Sequence, residues 1–122
     1  MPFRRLLTGL VERTKGARGA IFCDYEGEFV DLAIGDPSLS EYELKVFGAQ
    51  LTASWIALDG AAKARGAGFV IELRLSCALG TLLCNALPEG YYVVLVLARN
   101  QPSAGAAFEL RKTSIELAAE LL

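Results

Sequence analysis

EYELKVFGAQLTASWIALDGAAKA, running from Glu41 to Ala64, is the stretch that decides the fold. On a helical wheel of 3.6 residues per turn, Leu44, Phe47, Leu51, Trp55, Leu58 and Ala62 form one apolar stripe at spacings of three and four. Ala49, Ala53, Ala57, Gly60 and Ala64 form a second stripe roughly opposite, joined by Val46 and Ile56. A helix on the surface of a monomer needs one apolar face. A second face of alanine and glycine lets another backbone come close, so the spacing predicts one side against a sheet and the other against a partner subunit. The competing reading, that a third helix of the same chain covers the small side, makes both faces internal. Ser40 followed by Glu43 has capping-box spacing and fixes the helix start, and Arg65-Gly66-Ala67-Gly68 ends it.

Upstream, Phe3, Leu6, Leu7, Leu10 and Val11 share one face of a short helix from Pro2 to about Lys15, with Gly16 and Gly19 as its stop. Ala20-Ile21-Phe22-Cys23 reads as a strand, Asp24-Tyr25-Glu26-Gly27 as a turn, and Glu28 to Ala33 as a half-buried strand closing a hairpin. Downstream, Phe69 to Leu75 reads as a strand. A break at Ser76 to Gly80 leads to a further strand from Thr81 to Leu87. After the tight turn Pro88-Glu89-Gly90, Tyr91 to Leu97 is apolar at every position, the mark of a strand covered on both faces. A last helix spans Ala104 to Leu121, with Glu109, Lys112, Thr113, Glu116 and Glu120 on one side and Leu110, Leu117, Ala118 and Leu121 on the other. The order is helix, two strands, long helix, three strands, helix. This predicts one α+β domain over residues 1–122: an antiparallel sheet with the long helix on one face and the terminal helices on the other.

The totals limit the function. With 53% hydrophobic residues and 21% charged, the chain is apolar, yet its longest apolar run falls far short of the ~20 residues that cross a bilayer. The N-terminal apolar stretch is too brief for a signal peptide and contains Glu12, so a cytoplasmic protein without membrane insertion is expected. A net charge of −2 recommends no nucleic-acid partner, and the basic group Arg4, Arg5, Arg13, Lys15 and Arg18 reads as solvated helix ends. Three cysteines, Cys23, Cys77 and Cys84, match no zinc spacing and read as reduced thiols. The chain has no histidine, which removes the commonest general base and metal ligand.

A phosphate-binding loop is missing as well: Gly16-Ala17-Arg18-Gly19 and Gly66-Ala67-Gly68 lack its lysine and its strand-to-helix setting. The carboxylates Asp24, Glu26, Glu28, Asp31 and Asp36 sit near turns, where solvated charge is routine, and Tyr25, Tyr91 and Tyr92 read as sheet residues. No catalytic, cofactor-binding or metal residues are predicted.

The run Gly19-Ala20-Ile21-Phe22-Cys23-Asp24 before Glu26-Gly27-Glu28 resembles the Roadblock/LC7 family, as do the alanine-rich long helix, Tyr91 to Leu97 after Pro88-Glu89-Gly90, and the closing helix. The resemblance covers nearly the whole chain and rests on order and character, since none of these is a catalytic fingerprint. It implies a five-stranded antiparallel sheet of strand order 2-1-5-4-3. It also implies a homodimer in which long helices pack antiparallel and third strands pair across a two-fold axis. Ala49, Ala53, Ile56, Ala57, Gly60 and Ala64 with Phe69, Val70, Ile71, Glu72 and Leu73 would form that interface.

Members of the family are non-catalytic scaffolds and regulators of Ras-like small GTPases, or adaptor light chains. The minimal prokaryotic members resemble a gliding-motility regulator that stimulates GTP hydrolysis by a partner. A signalling role by GTPase activation or nucleotide-state-dependent binding is therefore expected, with Lys45, Gln50, Thr52, Ser54, Asp59 and Lys63 as the candidate partner surface. Arginine-finger candidates on expected loops are Arg18, Arg65 and Arg99, although each is explained as well by capping or solubility. A nucleotide-independent structural adaptor is the alternative. A small-molecule sensor domain is a third, against which the uniformly apolar sheet residues count.

Overall fold

The computed structural model describes residues 2–78 and 80–122; Met1, and Leu79 within the expected break, lie outside the described residues. Three helices, α1 (Pro2–Arg13), α2 (Glu41–Ala64) and α3 (Ala104–Leu121), pack on strands β1 (Ala17–Cys23), β2 (Phe29–Ile34), β3 (Glu72–Cys77), β4 (Gly80–Ala86) and β5 (Tyr92–Ala98). The strands form one antiparallel sheet in the order β2-β1-β5-β4-β3.

β5 lies at the centre because it carries no charged side chain and its one polar atom, the Tyr92 hydroxyl, is hydrogen-bonded inside, and its alternation divides the core. Val93, Leu95 and Leu97 face a cluster with Leu7, Leu10, Leu110 and Leu117 of α1 and α3. Tyr92, Val94 and Val96 face the α2 side, with Ile21, Cys23, Leu44 and Leu51. α2 starts as its sequence requires: the Glu43 N–H donates to Ser40 Oγ at 3.0 Å while the Ser40 N–H donates to Glu43 Oε1 at 3.2 Å.

Four local expectations change. β1 begins at Ala17, so Gly19 is a strand residue rather than a helix stop. A Cβ there would lie 3.0 Å from Leu39 Cδ2 and 3.1 Å from the Ala33 carbonyl, which explains the glycine by packing. Gly16 alone turns the chain after α1, at φ +82°. β3 starts at Glu72, not Phe69: the next ladder position beyond Ile71 and Ala86 falls opposite Pro88, which has no N–H and belongs to the turn. The Val70 N–H, on the other edge, is bonded to Asp59 Oδ1 of α2 at 2.7 Å. Thr113 leaves the polar side of α3 for the interior, where Arg13 Nη2 donates to its hydroxyl at 3.3 Å. Leu58, assigned to the sheet-facing stripe, is 46% exposed.

Candidate partner interface

α2 is seated on the sheet at one close point and one polar anchor. Gly48 lies against β1 so tightly that an added Cβ would come within 2.7 Å of Cys23 Sγ. The Tyr92 hydroxyl donates to the Gly48 carbonyl at 2.7 Å and is hydrogen-bonded to Thr52 Oγ1, while Trp55 stacks on the Tyr92 ring at 5.9 Å. Burial raises the Tyr92 phenol above its ordinary value, with the Thr52 hydrogen bond opposing, so it acts as a neutral donor. Sequence reading missed Gly48, whose neighbours on the sheet are not adjacent in the chain.

These anchors set the direction of the helix. Its first turns lie near Leu39 and β1, its middle over Tyr92, and Asp59 reaches the chain just before β3. One flank looks towards the hairpin end of the sheet: the Lys45 ammonium sits 4.1 Å from the centre of the Phe29 ring, and Ala49 and Thr52 abut Gly27. By wheel position Ile56, Gly60 and Lys63 share that flank. The other flank begins with Phe47, which lines a cavity of about 310 Å³ with Cys77, Gly80, Thr81, Leu82 and Val96. Gln50, Ser54, Leu58 and Ala61 follow Phe47 on the wheel, and Ala57 and Ala64 lie on the crest. Ala49, Ala53, Ala57, Gly60 and Ala64 are all exposed.

The expected partner surface is divided in the same way. Gln50 and Ser54 stand exposed on the Phe47 flank. Thr52 is turned inward to Tyr92 and is no part of a solvated strip. Asp59 holds the Lys63 ammonium at 2.8 Å and caps Val70; those contacts, Lys63 first, lower its carboxyl below the ordinary value.

On the α2 side of the sheet, cover thins towards β3: Leu73 and Leu82 are half-buried against the α2-side cluster, whereas Leu75 and Cys77 are exposed. Leu73, Leu75 and Cys77 point to that side, opposite Cys84, Leu82 and Gly80 in the register. Leu75 is 45% exposed and Ile71 62%. Beyond β3 no further strand pairs among the described residues. A second apolar groove, of about 410 Å³, lies on the opposite side between Phe69, Ile71, Leu87 and Pro88 and the α3 residues Ile115 and Ala118. The exposed Ile115 and Phe108 escaped the sequence reading because they sit among charged neighbours.

The charged groups considered for chemistry are bound into the fold. Arg4 clamps Asp31 at 2.7 Å, Arg13 reaches Glu109 at 3.6 Å, and Arg18 pairs with Asp36 at 2.9 Å. Arg18 belongs to β1 rather than a loop, whereas Arg65 and Arg99 are exposed. Asp24 accepts the N–H groups of Glu26 and Glu28 to shape the first hairpin turn, from which Tyr25 projects into solvent rather than lying in the sheet. No three His, Cys, Asp or Glu side chains cluster as a metal site among the described residues, and no helix among them is long and apolar enough to cross a membrane.

Three helices distributed in this way over a sheet of order 2-1-5-4-3 make the fold of the Roadblock/LC7 domain. A Roadblock/LC7 domain from Streptomyces avermitilis superposes with a TM-score of 0.84 at 17% identity, over 97% of this chain and 96% of that one. MglB of Myxococcus xanthus gives 0.85 at 14% identity, over 98% and 86%. MglC of the same organism gives 0.69 at 24% identity, over 98% and 99%. No model of a protein family and no curated protein matches the sequence.

Proposed function

We propose that this chain is a homodimeric, non-catalytic, cytoplasmic regulator of a Ras-like small GTPase. The observation that carries the dimer is the partly uncovered α2-side of β3 and β4. Leu73, Leu75 and Leu82 form an apolar floor that α2 covers only in part, bounded by a strand edge that no described strand pairs on one side and the Phe47 flank of α2 on the other. A second copy related by a two-fold axis beside β3 supplies both missing pieces at once. Its own β3 pairs with the open edge, and its α2 lies antiparallel over the floor.

Helix contact in that arrangement falls on Phe47, Gln50, Ser54, Leu58 and Ala61, with Ala57 on the crest. Ala53 and Ala64 share the crest with Ala57, and the Ala49, Ile56 and Gly60 flank stays clear of the contact, facing the hairpin end with Lys45 and Lys63. Paired α2 helices then present one continuous surface on which a single globular partner covers the two-fold axis.

The GTPase as partner follows from the likeness to Roadblock/LC7 domains and MglB-type structures, for which the resemblance implies GTPase regulation. Regulation of this kind needs tighter binding to one nucleotide state of the partner than to the other, since a ligand with equal affinity for both shifts nothing. Affinity capture from native lysate on the immobilised protein, with a non-hydrolysable GTP analogue in one sample and GDP in the other, tests it. A small GTPase enriched in one sample only is the expected outcome, and the purified pair then shows a changed hydrolysis rate. Equal capture in both samples, or capture of large non-GTPase proteins, favours the nucleotide-independent adaptor.

A further inference from the structure

We infer that two copies of this chain join their β3 strands in one register, centred on Leu73, with Glu72 of each copy opposite Arg74 of the other. The inference rests on the homodimer proposed above and deepens it. An antiparallel pair made by a two-fold axis normal to the sheet keeps both α2 helices on the same side. Residues directly opposite each other must then point to the same face, so the axis passes through a residue and not between two. The candidates near the middle of the open edge are Leu73, Arg74 and Leu75.

The backbone permits all three. The Ala86 N–H donates to the Ile71 carbonyl at 2.9 Å, and bonding to β4 recurs on alternate residues from there. The N–H and C=O groups of Glu72, Arg74 and Ser76 are thereby left pointing to the open edge.

Side-chain chemistry separates the three. Centring on Arg74 puts each guanidinium opposite its own copy, and like charges directly opposed are destabilising. Centring on Leu75 sets Arg74 against Ser76 and Glu72 against Ala78, and leaves Ile71 beyond the paired region. Centring on Leu73 gives two Glu72–Arg74 pairs on the α3 side. On the α2 side it stacks Leu73 on Leu73, with the exposed Leu75 of each copy flanking that pair. Glu72 already has Arg111 at 3.4 Å across an exposed gap, so each carboxylate lies between two guanidinium groups in the dimer. The Val70 carbonyl is free to extend the ladder by one bond, while its N–H stays with Asp59.

Single-cysteine cross-linking in a Cys77→Ser background reads the register directly, because the other two thiols, Cys23 and Cys84, are buried. A self-opposed, non-hydrogen-bonded pair brings its Cα atoms to about 4.5 Å, within disulfide reach. Mild oxidation with oxidised glutathione is expected to convert most of L73C to a disulfide dimer on a non-reducing gel, with L75C and R74C largely monomeric. Dominant linkage of L75C or R74C overturns this register, as does linkage of none of them when the unmodified protein sediments as a dimer. Sedimentation of the unmodified protein as a monomer overturns the homodimer reading itself.

Charge reversal gives an independent readout should a cysteine variant fold poorly. E72R is expected to weaken the dimer roughly tenfold or more, and E72R/R74E to restore it, because both cross-strand pairs are rebuilt with reversed sign. Failure of the double variant to recover any affinity counts against the register.

Discussion

At Gly48 a single hydrogen in place of a methyl group sets how closely α2 approaches the sheet. The nearest obstacle to a Cβ is Cys23 Sγ at 2.7 Å, a short side chain already fully buried, so neither partner can step aside. Gly48→Ala gains helix propensity but overpacks this contact, and a net loss of about 1–3 kcal/mol in urea unfolding is expected. The same burial acts on the thiols. Desolvation pushes Cys23 from 9.0 up to about 11, and Cys84 from 9.0 up to about 12. Both therefore keep their protons in the fold at pH values where the unfolded chain loses them. Stability is full below pH 9 and falls as pH rises from 9 towards 11. The slope is at most about 1.4 kcal/mol per pH unit for each thiol. Urea midpoints measured at pH 8 and pH 10.5 check this, and Cys84→Ala is expected to remove part of the difference. Tyr92, raised by burial as well, adds to the decline above pH 10.

At the scale of elements, α2 was legible almost whole. Its Ser40–Glu43 box and its Glu41–Ala64 span stand as read, because a capping box and a 3.6-residue apolar period are local signals. β5 and α3 were legible for the same reason. What the helical wheel could not supply was direction. Two apolar faces appeared in the sequence, but which flank overlooks β3 depends on where Gly48 and Tyr92 anchor the helix. Gly60 tests that distinction. A Cβ there meets nothing within 4 Å, so Gly60→Ala is expected to stabilise the chain by about 0.5–1 kcal/mol through helix propensity, with the dimer dissociation constant unchanged. A weakened dimer in sedimentation would instead put the small-residue stripe at the helix–helix contact. The start of β3 was misread for a related reason. Phe69, Val70 and Ile71 are good strand formers, yet the neighbouring strand has already turned at Pro88, which has no N–H to offer Phe69, and a carboxylate on α2 holds the Val70 N–H instead.

Across the whole molecule, the terminal helices close one face of the sheet over β1, β5 and most of β4, and α2 closes only part of the other. The unclosed part lies beside the one edge that carries complementary charges, Glu72 and Arg74, with apolar side chains on the face above. An edge strand built in this way suits the proposed pairing with its own copy, because a partner strand has to match both the charge order and the apolar face. In the proposed dimer, pairing at β3 would bring the two α2 helices side by side and so join their outward surfaces.

The sequence by itself determined which segments become helices and strands, that the central strand is buried on both faces, and that no histidine-based chemistry is available. Those properties depend on periodicity, caps and composition, which are written along the chain. The tertiary structure alone decided that α2 crosses the sheet obliquely, that Thr52 and Thr113 turn inward, and that Leu75 and Ile71 lie uncovered beside an open edge. Each of these arises from contacts between residues far apart in sequence, where a hydrogen bond or a close approach overrides what either segment would do alone.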